Sequence, residues 1–424
     1  MEKGLKRLFV KELHGLYNYD YIIPDTSDVS IITGPNGYGK TTLLNIISNI
    51  YQGSFWYFYY LVFREVVVEF VDNHSITLRK EIITDSDSLL DEGATEASSV
   101  KVLFSEGQVL IESFSITRDY ISDILNSVRS QIMWPIQRAN DIDELQNRYN
   151  LENDVYLQNA AKNTLLFLVD HPFRFVKARR LESSSEDLLR NTREQTMTVE
   201  LISEEISNDF KKEQQAFAET SQKIDASFYK RLLHLQTNGH NEKDNQNRIN
   251  NLRKRIDEYR YFHLVPNIEI EDTVDGEANN EVLALYLSDM ETKMNSFSYY
   301  YNHLLAFDSF VSKCALSDKR MTISEKGLEI INDNNIKVPL GKLSDGEQDL
   351  LILGYYLYYA TSANSLLLID EPENSLHMAW LENMLESFVK SAKMLHIQII
   401  VATHSPAFIN DRWDLTYDLF ENRL

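Results

Sequence analysis

A single cysteine in 424 residues, Cys314, excludes an intrachain disulfide and any cysteine-based zinc site. That usage fits a reducing compartment, with the thiol as a small core residue. Glycine (14) and proline (8) are scarce, which argues against low-complexity linkers. Basic residues are outnumbered too: 42 Lys and Arg face 64 Asp and Glu, for a net charge of −22. The chain as a whole repels phosphate polymers, so DNA contact requires a local basic surface, an oligomer groove or a partner. No apolar run approaches the ~20 residues of a membrane span. The most apolar tract, residues 55–63, reads as a buried segment rather than a membrane contact. A charged start (Glu2, Lys3, Lys6, Arg7) predicts no secretory leader, and the expected location is cytoplasmic.

What the chain does have is 43% hydrophobic residues, ample for the cores of two to three domains. It also has Gly34-Pro35-Asn36-Gly37-Tyr38-Gly39-Lys40-Thr41-Thr42, set between the apolar run 29–32 and a helical pattern over 41–50. Strand, glycine-rich turn and helix are the context that the phosphate-binding P-loop requires. Its glycines turn backbone N–H groups inward, and the helix N-terminus adds its positive end. Asn36, Gly37, Gly39, Lys40, Thr41 and Thr42 are therefore expected to hold ATP. Lys40 supplies a point charge for the β and γ phosphates, and the Thr41 hydroxyl ligates Mg²⁺.

Further along, Leu366-Leu367-Leu368-Ile369-Asp370-Glu371-Pro372-Glu373 is an apolar strand ending in carboxylates. Asp370 is a candidate for the Mg²⁺ set of Thr41, and Glu371 for polarising the attacking water. Leu343-Ser344-Asp345-Gly346-Glu347-Gln348 carries a capping-box pattern, Ser344 with Glu347 three residues on. The helix start it caps is also an anion site, with the Ser344 hydroxyl and the Gly346 N–H expected to point outward. The apolar run 397–402 ends in Thr403-His404-Ser405-Pro406, at the sheet edge where ligands sit in open α/β folds. His404 is a candidate donor to the γ-phosphate.

Around these motifs, alternation predicts strands near 6–23 and hairpins over 65–83 and 100–114, with an acidic surface loop at 84–99. Helical spacing marks 119–129, 199–235, 243–264 and a single long tract over 281–315, while 164–169 reads as a compact apolar strand. Strands and helices alternate again from 321 to 402, the second half of a parallel sheet.

Taken in this order, the four motifs resemble the ABC-type ATPase heads of the SMC, RecF and OLD grouping. The look is nearest to stand-alone ATPase subunits of bacterial antiphage systems such as Septu, retron-associated Septu and PARIS. Two short stretches, residues 177–181 and 221–233, are similar to the middle region of that defence group. The resemblance implies an α/β P-loop NTPase of ABC-ATPase head type, with a mixed sheet, an antiparallel β subdomain and a short coiled-coil-like helical insertion. The implied division is 1–181 for the N-terminal lobe, 182–318 for the insertion and 319–424 for the C-terminal lobe. It further implies that Ser344 and Gly346 act in trans on ATP held by a second subunit, with Glu347 also a cofactor-binding residue, so that heads meet in a homodimer or higher oligomer. Glu371 becomes the catalytic base, His404 the switch histidine, and residues 374–377 the loop sensing the opposite site. Asp345 departs from the usual small residue of the signature, and Met378 stands where OLD-type relatives often have Pro; the Q-loop glutamine has only Gln131 and Gln137 as candidates. An OLD-type protein carries its nuclease after the head, so the implied partner is a separate nuclease or toxin effector in antiviral defence. The competing readings are a RecF-like ATPase that clamps DNA, with Arg174, Lys177, Arg179 and Arg180 as a local phosphate patch, and an ATP-bound scaffold without turnover.

Overall fold

The computed structural model describes residues 4–24, 27–83, 97–129, 154–176, 185–235, 242–266, 268, 277–314, 318–359, 361–374, 376 and 378–422. The chain opens with β1 (Leu5–Leu13), β2 (Tyr17–Ile22), β3 (Val29–Thr33), α1 (Lys40–Tyr51) and the single turn α2 (Tyr57–Tyr60). Two hairpins follow, β4 (Glu65–Phe70) with β5 (His74–Ile83) and β6 (Ala97–Glu106) with β7 (Val109–Ile116). Next come α3 (Arg118–Arg129), α4 (Val155–Ala160), α5 (Lys162–Val169) and β8 (Phe173–Val176). The helical stretch is α6 (Ser185–Leu233), α7 (Glu242–Tyr261), α8 (Glu277–Ser296) and α9 (Ser298–Cys314). After it lie β9 (Lys319–Ser324), β10 (Gly327–Asn332), β11 (Lys337–Val338) and α10 (Asp345–Tyr358). The chain closes with β12 (Leu366–Asp370), α11 (Met378–Leu395), β13 (Gln398–Ala402), α12 (Pro406–Ile409) and β14 (Thr416–Asp418).

These elements form two compact units, Met1–Arg179 with Ala360–Leu424, and Arg180–Tyr359. In the first, β14-β3-β13-β12-β8 make a parallel sheet and β2-β1-β4-β5-β6-β7 an antiparallel one. Strands β3, β12 and β13 are buried at every residue, as parallel strands covered on both faces must be. Strand β4 instead alternates, with Val66, Val68 and Phe70 inward. Leu43, Leu44, Ile46, Ile47 and Ile50 bury α1 on most sides, and one core joins it to residues of both sheets. The aromatic tract expected to be buried is so at Phe55, Trp56, Phe58 and Phe63. A buried amide links the sheets: Gln398 accepts from the Leu5 N–H and donates to the Leu5 carbonyl, each at 2.8 Å. Among the described residues, no helix is long and apolar enough to cross a membrane.

Three sequence expectations need correction. Residues 164–169 are helical, not a strand. Glu112 of β7 accepts from the N–H groups of Asn163 and Thr164 at 3.1 and 2.9 Å and so caps α5 from across the unit. The described residues of the tract expected over 281–315 form two helices, α8 and α9. At the break, Arg255 of α7 binds Asn295 and Ser298 while Phe297 stacks on Phe217 with ring centroids 4.6 Å apart. Residues 97–99 of the expected acidic loop belong to β6, and 84–96 lie outside the described residues.

The second unit holds α6 to α10 and the small antiparallel sheet β11-β10-β9. Residues 319–359, assigned from the sequence to the C-terminal lobe, group here with the insertion helices. Gly327 permits the contact of β10 with α6, since a Cβ there would stand 2.3 Å from the Ser203 carbonyl oxygen. Ser203 accepts from the Leu328 N–H at 2.9 Å, and Ser207 donates to the Glu325 carbonyl at 2.6 Å.

Candidate nucleotide-binding site

Strand β3 delivers the chain to Gly34, whose φ is 144°, and the loop turns again at Gly37 and Gly39, both at φ 86°. Gly39 is also the N-cap of α1 and makes no side-chain cap, so the first N–H groups of the helix stay unspent. The Lys40 side chain curls back into the loop. Its ammonium donates to the carbonyls of Gly34 (2.9 Å) and Pro35 (3.3 Å) and to Asn36 Oδ1 (3.5 Å), and the residue is only 5% exposed. A buried cation on neutral acceptors is a strong anion attractor. Thr42 follows Thr41 in the first turn of α1.

Parallel register then brings the other motifs to the same edge: Asp370 pairs with Ala402, and Ala402 with Ile32. The Thr41 hydroxyl donates to Asp370 Oδ1 at 3.3 Å, and Asp370 is 4% exposed. Glu371 has φ 45°, a left-handed backbone that costs about 1 kcal/mol for a residue with a Cβ. That turn is held by its N–H on the Ala402 carbonyl (2.8 Å) and by the Asn374 amide on Glu371 Oε2 (3.0 Å). Oε1 of Glu371 lies 3.9 Å from His404 Nδ1. Oε1 of Glu373, whose side chain is 8% exposed, accepts from the Thr403 hydroxyl (2.7 Å) and the His404 N–H (3.0 Å), with His404 Nδ1 also 3.0 Å away. Sequence reading assigned Glu373 no role, and only the Asp-Glu-Pro-Glu run could have drawn attention to it.

Thus Lys40, Thr41, Asp370, Glu371 and His404 converge in the first unit. Ser344, Gly346 and Glu347 belong to the second, at the start of α10. There the capping box is complete, and it occupies the Ser344 hydroxyl, one of the two groups expected to point outward. The Ser344 hydroxyl donates to Glu347 Oε2 at 2.9 Å, and Gly346 is buried. The Ser344 N–H also reaches Glu347 Oε2 at 2.9 Å, and Lys319 Nζ donates to Glu347 Oε1 at 2.7 Å. Glu347 therefore builds the cap. Burial alone would raise its carboxyl, but the hydrogen bonds from Lys319 and Ser344 outweigh that and hold it below the usual value. Lys319 is raised in turn, chiefly by its hydrogen bond to Glu347. Gln131, Gln137, Ser375, His377 and residues 177–181 lie outside the described residues.

A family model described as "AAA domain, putative AbiEii toxin, Type IV TA system" matches residues 139–410, well over half of the chain. The chain belongs to this AAA-domain family. The match spans the start of α10, the β12 carboxylates and His404, while the P-loop precedes it. The fold class expected from the sequence holds: an α/β P-loop AAA domain with parallel and antiparallel sheets. No curated protein is significantly similar in sequence. Among solved structures, the chain is similar to an Smc head domain with an extended coiled coil bound to the C-terminal domain of ScpA, from Pyrococcus furiosus. Identity there is 13%, coverage 96% of this chain and 91% of that one, and the TM-score 0.36. The SMC head domain from Thermotoga maritima matches at 13% identity, with coverage of 98% and 94% and a TM-score of 0.31. The Smc head domain with a coiled coil and joint from Pyrococcus yayanosii matches at 15%, with 96% and 93% coverage and a TM-score of 0.34.

The residues present fit a nucleotide with its cation. The uncapped α1 start and the Lys40 ammonium suit phosphate, and the hard oxygens of Thr41 and Asp370 suit Mg²⁺.

Proposed function

We propose that this AAA-family protein binds and hydrolyses ATP, assembles through composite ATP sites, and so controls a separate nuclease or toxin effector in bacterial antiviral defence. The observation that carries the reading is the contact of Thr41 with Asp370, directly followed by Glu371 at the same strand edge. Residues 36–42 would hold the phosphates, and Thr41 with Asp370 the cation. Bound Mg²⁺ and ATP would supply the electrophilic γ-phosphorus and neutralise charge on the phosphates. Asn374 occupies one oxygen of Glu371, which leaves Oε1 to accept a proton from water. Ser344 and Gly346 would reach the ATP of a second subunit, with the Ser344 hydroxyl trading its bond to Glu347 for a phosphate oxygen. The family's description, which names a toxin of a toxin–antitoxin system, supports a role in conflict systems. The acidic chain favours effector control over clamping bare DNA.

Glu371→Gln provides the test. Phosphate release should fall by about 10²- to 10⁴-fold, with ATP binding by calorimetry retained. Unchanged turnover would refute the assignment of the base, and the absence of ATP binding by the unmodified protein would refute the whole reading.

A further inference from the structure

In the glycine-rich loop, Tyr38 stands between two left-handed glycines, Gly37 and Gly39, both at φ 86°. Glycine tolerates both signs of φ, so the Tyr38–Gly39 peptide is free to flip unless something outside the loop holds it. Three groups do. The Tyr19 hydroxyl donates to the Tyr38 carbonyl at 2.8 Å. The Tyr38 ring lies against Tyr17, with centroids 5.6 Å apart, and meets Phe420 edge-on at 5.8 Å. Tyr17 and Tyr19 are alternate residues of β2 and share one face of it. Tyr19 is fully buried, where a phenol hydroxyl needs a partner. It spends that hydroxyl outside its own sheet, on the loop.

We propose that Tyr19 is a positioning residue whose hydroxyl turns the Tyr38–Gly39 peptide so that the Gly39 N–H is presented to the phosphates of a bound nucleotide. The inference rests on the proposed ATPase reading. The peptide is trans and planar, so its C=O and N–H point in opposite directions. With the carbonyl drawn toward Tyr19, the Gly39 N–H faces away from it, and among the described residues it has no hydrogen-bond partner. It directly precedes Lys40 and the uncapped start of α1, so one anion can take all of these donors together. The flipped peptide would offer a carbonyl oxygen in place of the donor, and that oxygen repels a phosphate. The two ring contacts hold the Tyr38 side chain, which leaves the hydroxyl to decide which way the peptide faces.

The pair Tyr-Gly occurs once in the sequence, at 38–39. Carbon-13 at the tyrosine carbonyls and nitrogen-15 in the glycines of the full chain therefore give one NMR signal that reports on this peptide alone. In the unmodified protein, ATP with Mg²⁺ should move its amide proton downfield, as the Gly39 N–H donates to a phosphate oxygen. A chain that binds ATP by calorimetry yet leaves this proton unmoved would overturn the proposal, whatever the variants do. Tyr19→Phe removes only the hydroxyl. The Tyr38 carbonyl signal should then move upfield, and the dissociation constant for ATP should rise about 3- to 10-fold, the worth of one neutral hydrogen bond. Tyr21→Phe deletes the next inward hydroxyl of β2, whose ring meets Tyr417, and should leave both readings as they were. Equal weakening by the two variants, or unchanged ATP affinity in Tyr19→Phe, would contradict the assignment. If Tyr19→Phe does not fold, the response of the unmodified protein to ATP still decides. A chain that binds no ATP removes the proposed function and this inference with it, whereas normal binding with an unmoved Gly39 proton removes this inference alone.

Discussion

The helices α1 and α10 both begin at motifs read from the sequence as anion sites, but their N-termini are finished in opposite ways. At α1 the cap is Gly39, in a left-handed conformation and without a side-chain hydrogen bond, and the first cation of the helix is folded into the loop before it. At α10 the cap is Ser344, reciprocally bonded to Glu347, which is clamped in turn by Lys319. The first N-terminus forgoes stability and keeps its N–H groups for a ligand. The second is internally satisfied, so an incoming phosphate must compete with a carboxylate already in place. Binding at α1 needs no rearrangement of the cap, whereas the α10 start contributes only when something replaces the Ser344–Glu347 bond.

Changes at the two ends should separate accordingly. Lys40→Ala should weaken ATP binding by about 10²-fold, a scale seen for loss of one preorganised donor to a charged oxygen, with little change in Tm; calorimetry and a thermal melt check both. Glu347→Ala should do the reverse. It removes the capping box and leaves Lys319 without that partner, a cost of about 1–2 kcal/mol. That is several degrees in Tm for a unit of this size, while ATP affinity of the isolated subunit stays near that of the unmodified chain. Gly39→Ala combines the two in weaker form. Its Cβ would meet Leu13 Cδ2 at 3.4 Å, in a backbone that disfavours any side chain. About 1 kcal/mol of stability should be lost, with reduced nucleotide affinity. The smallest effect is in pH. The folded Glu347 carboxyl sits below its unfolded value, so it contributes stability above the unfolded value that fades as pH falls through the folded one. Acid titration of Tm should therefore be shallower in Glu347→Gln than in the unmodified protein.

The contrast also explains how much could be read in advance. The P-loop, the carboxylates of β12 and the β13 edge were legible because each is a polar run closing a fully buried apolar strand, and parallel pairing leaves little freedom in where such runs end. The capping box of α10 was legible as a box. That Lys319 clamps the box through Glu347 was not, because it joins from β9. The helical state of residues 164–169 was hidden for the same reason: its cap, Glu112, comes from β7, and a short apolar run cannot declare its period. The break at Phe297 depends on Phe217 and Arg255, residues of two other helices. Glu373 stood in plain view beside Glu371, but its partners Thr403 and His404 arrive only through strand register.

The central claim is that the α1 site is half of a composite site completed by the α10 start of another subunit. Light scattering of Glu371→Gln, with and without ATP and Mg²⁺, measures this most directly. The account predicts the mass of one chain, or of a basal assembly, without nucleotide and at least twice that mass with it, reversed by adding Ser344→Arg. A mass that stays that of one chain under every condition would contradict it.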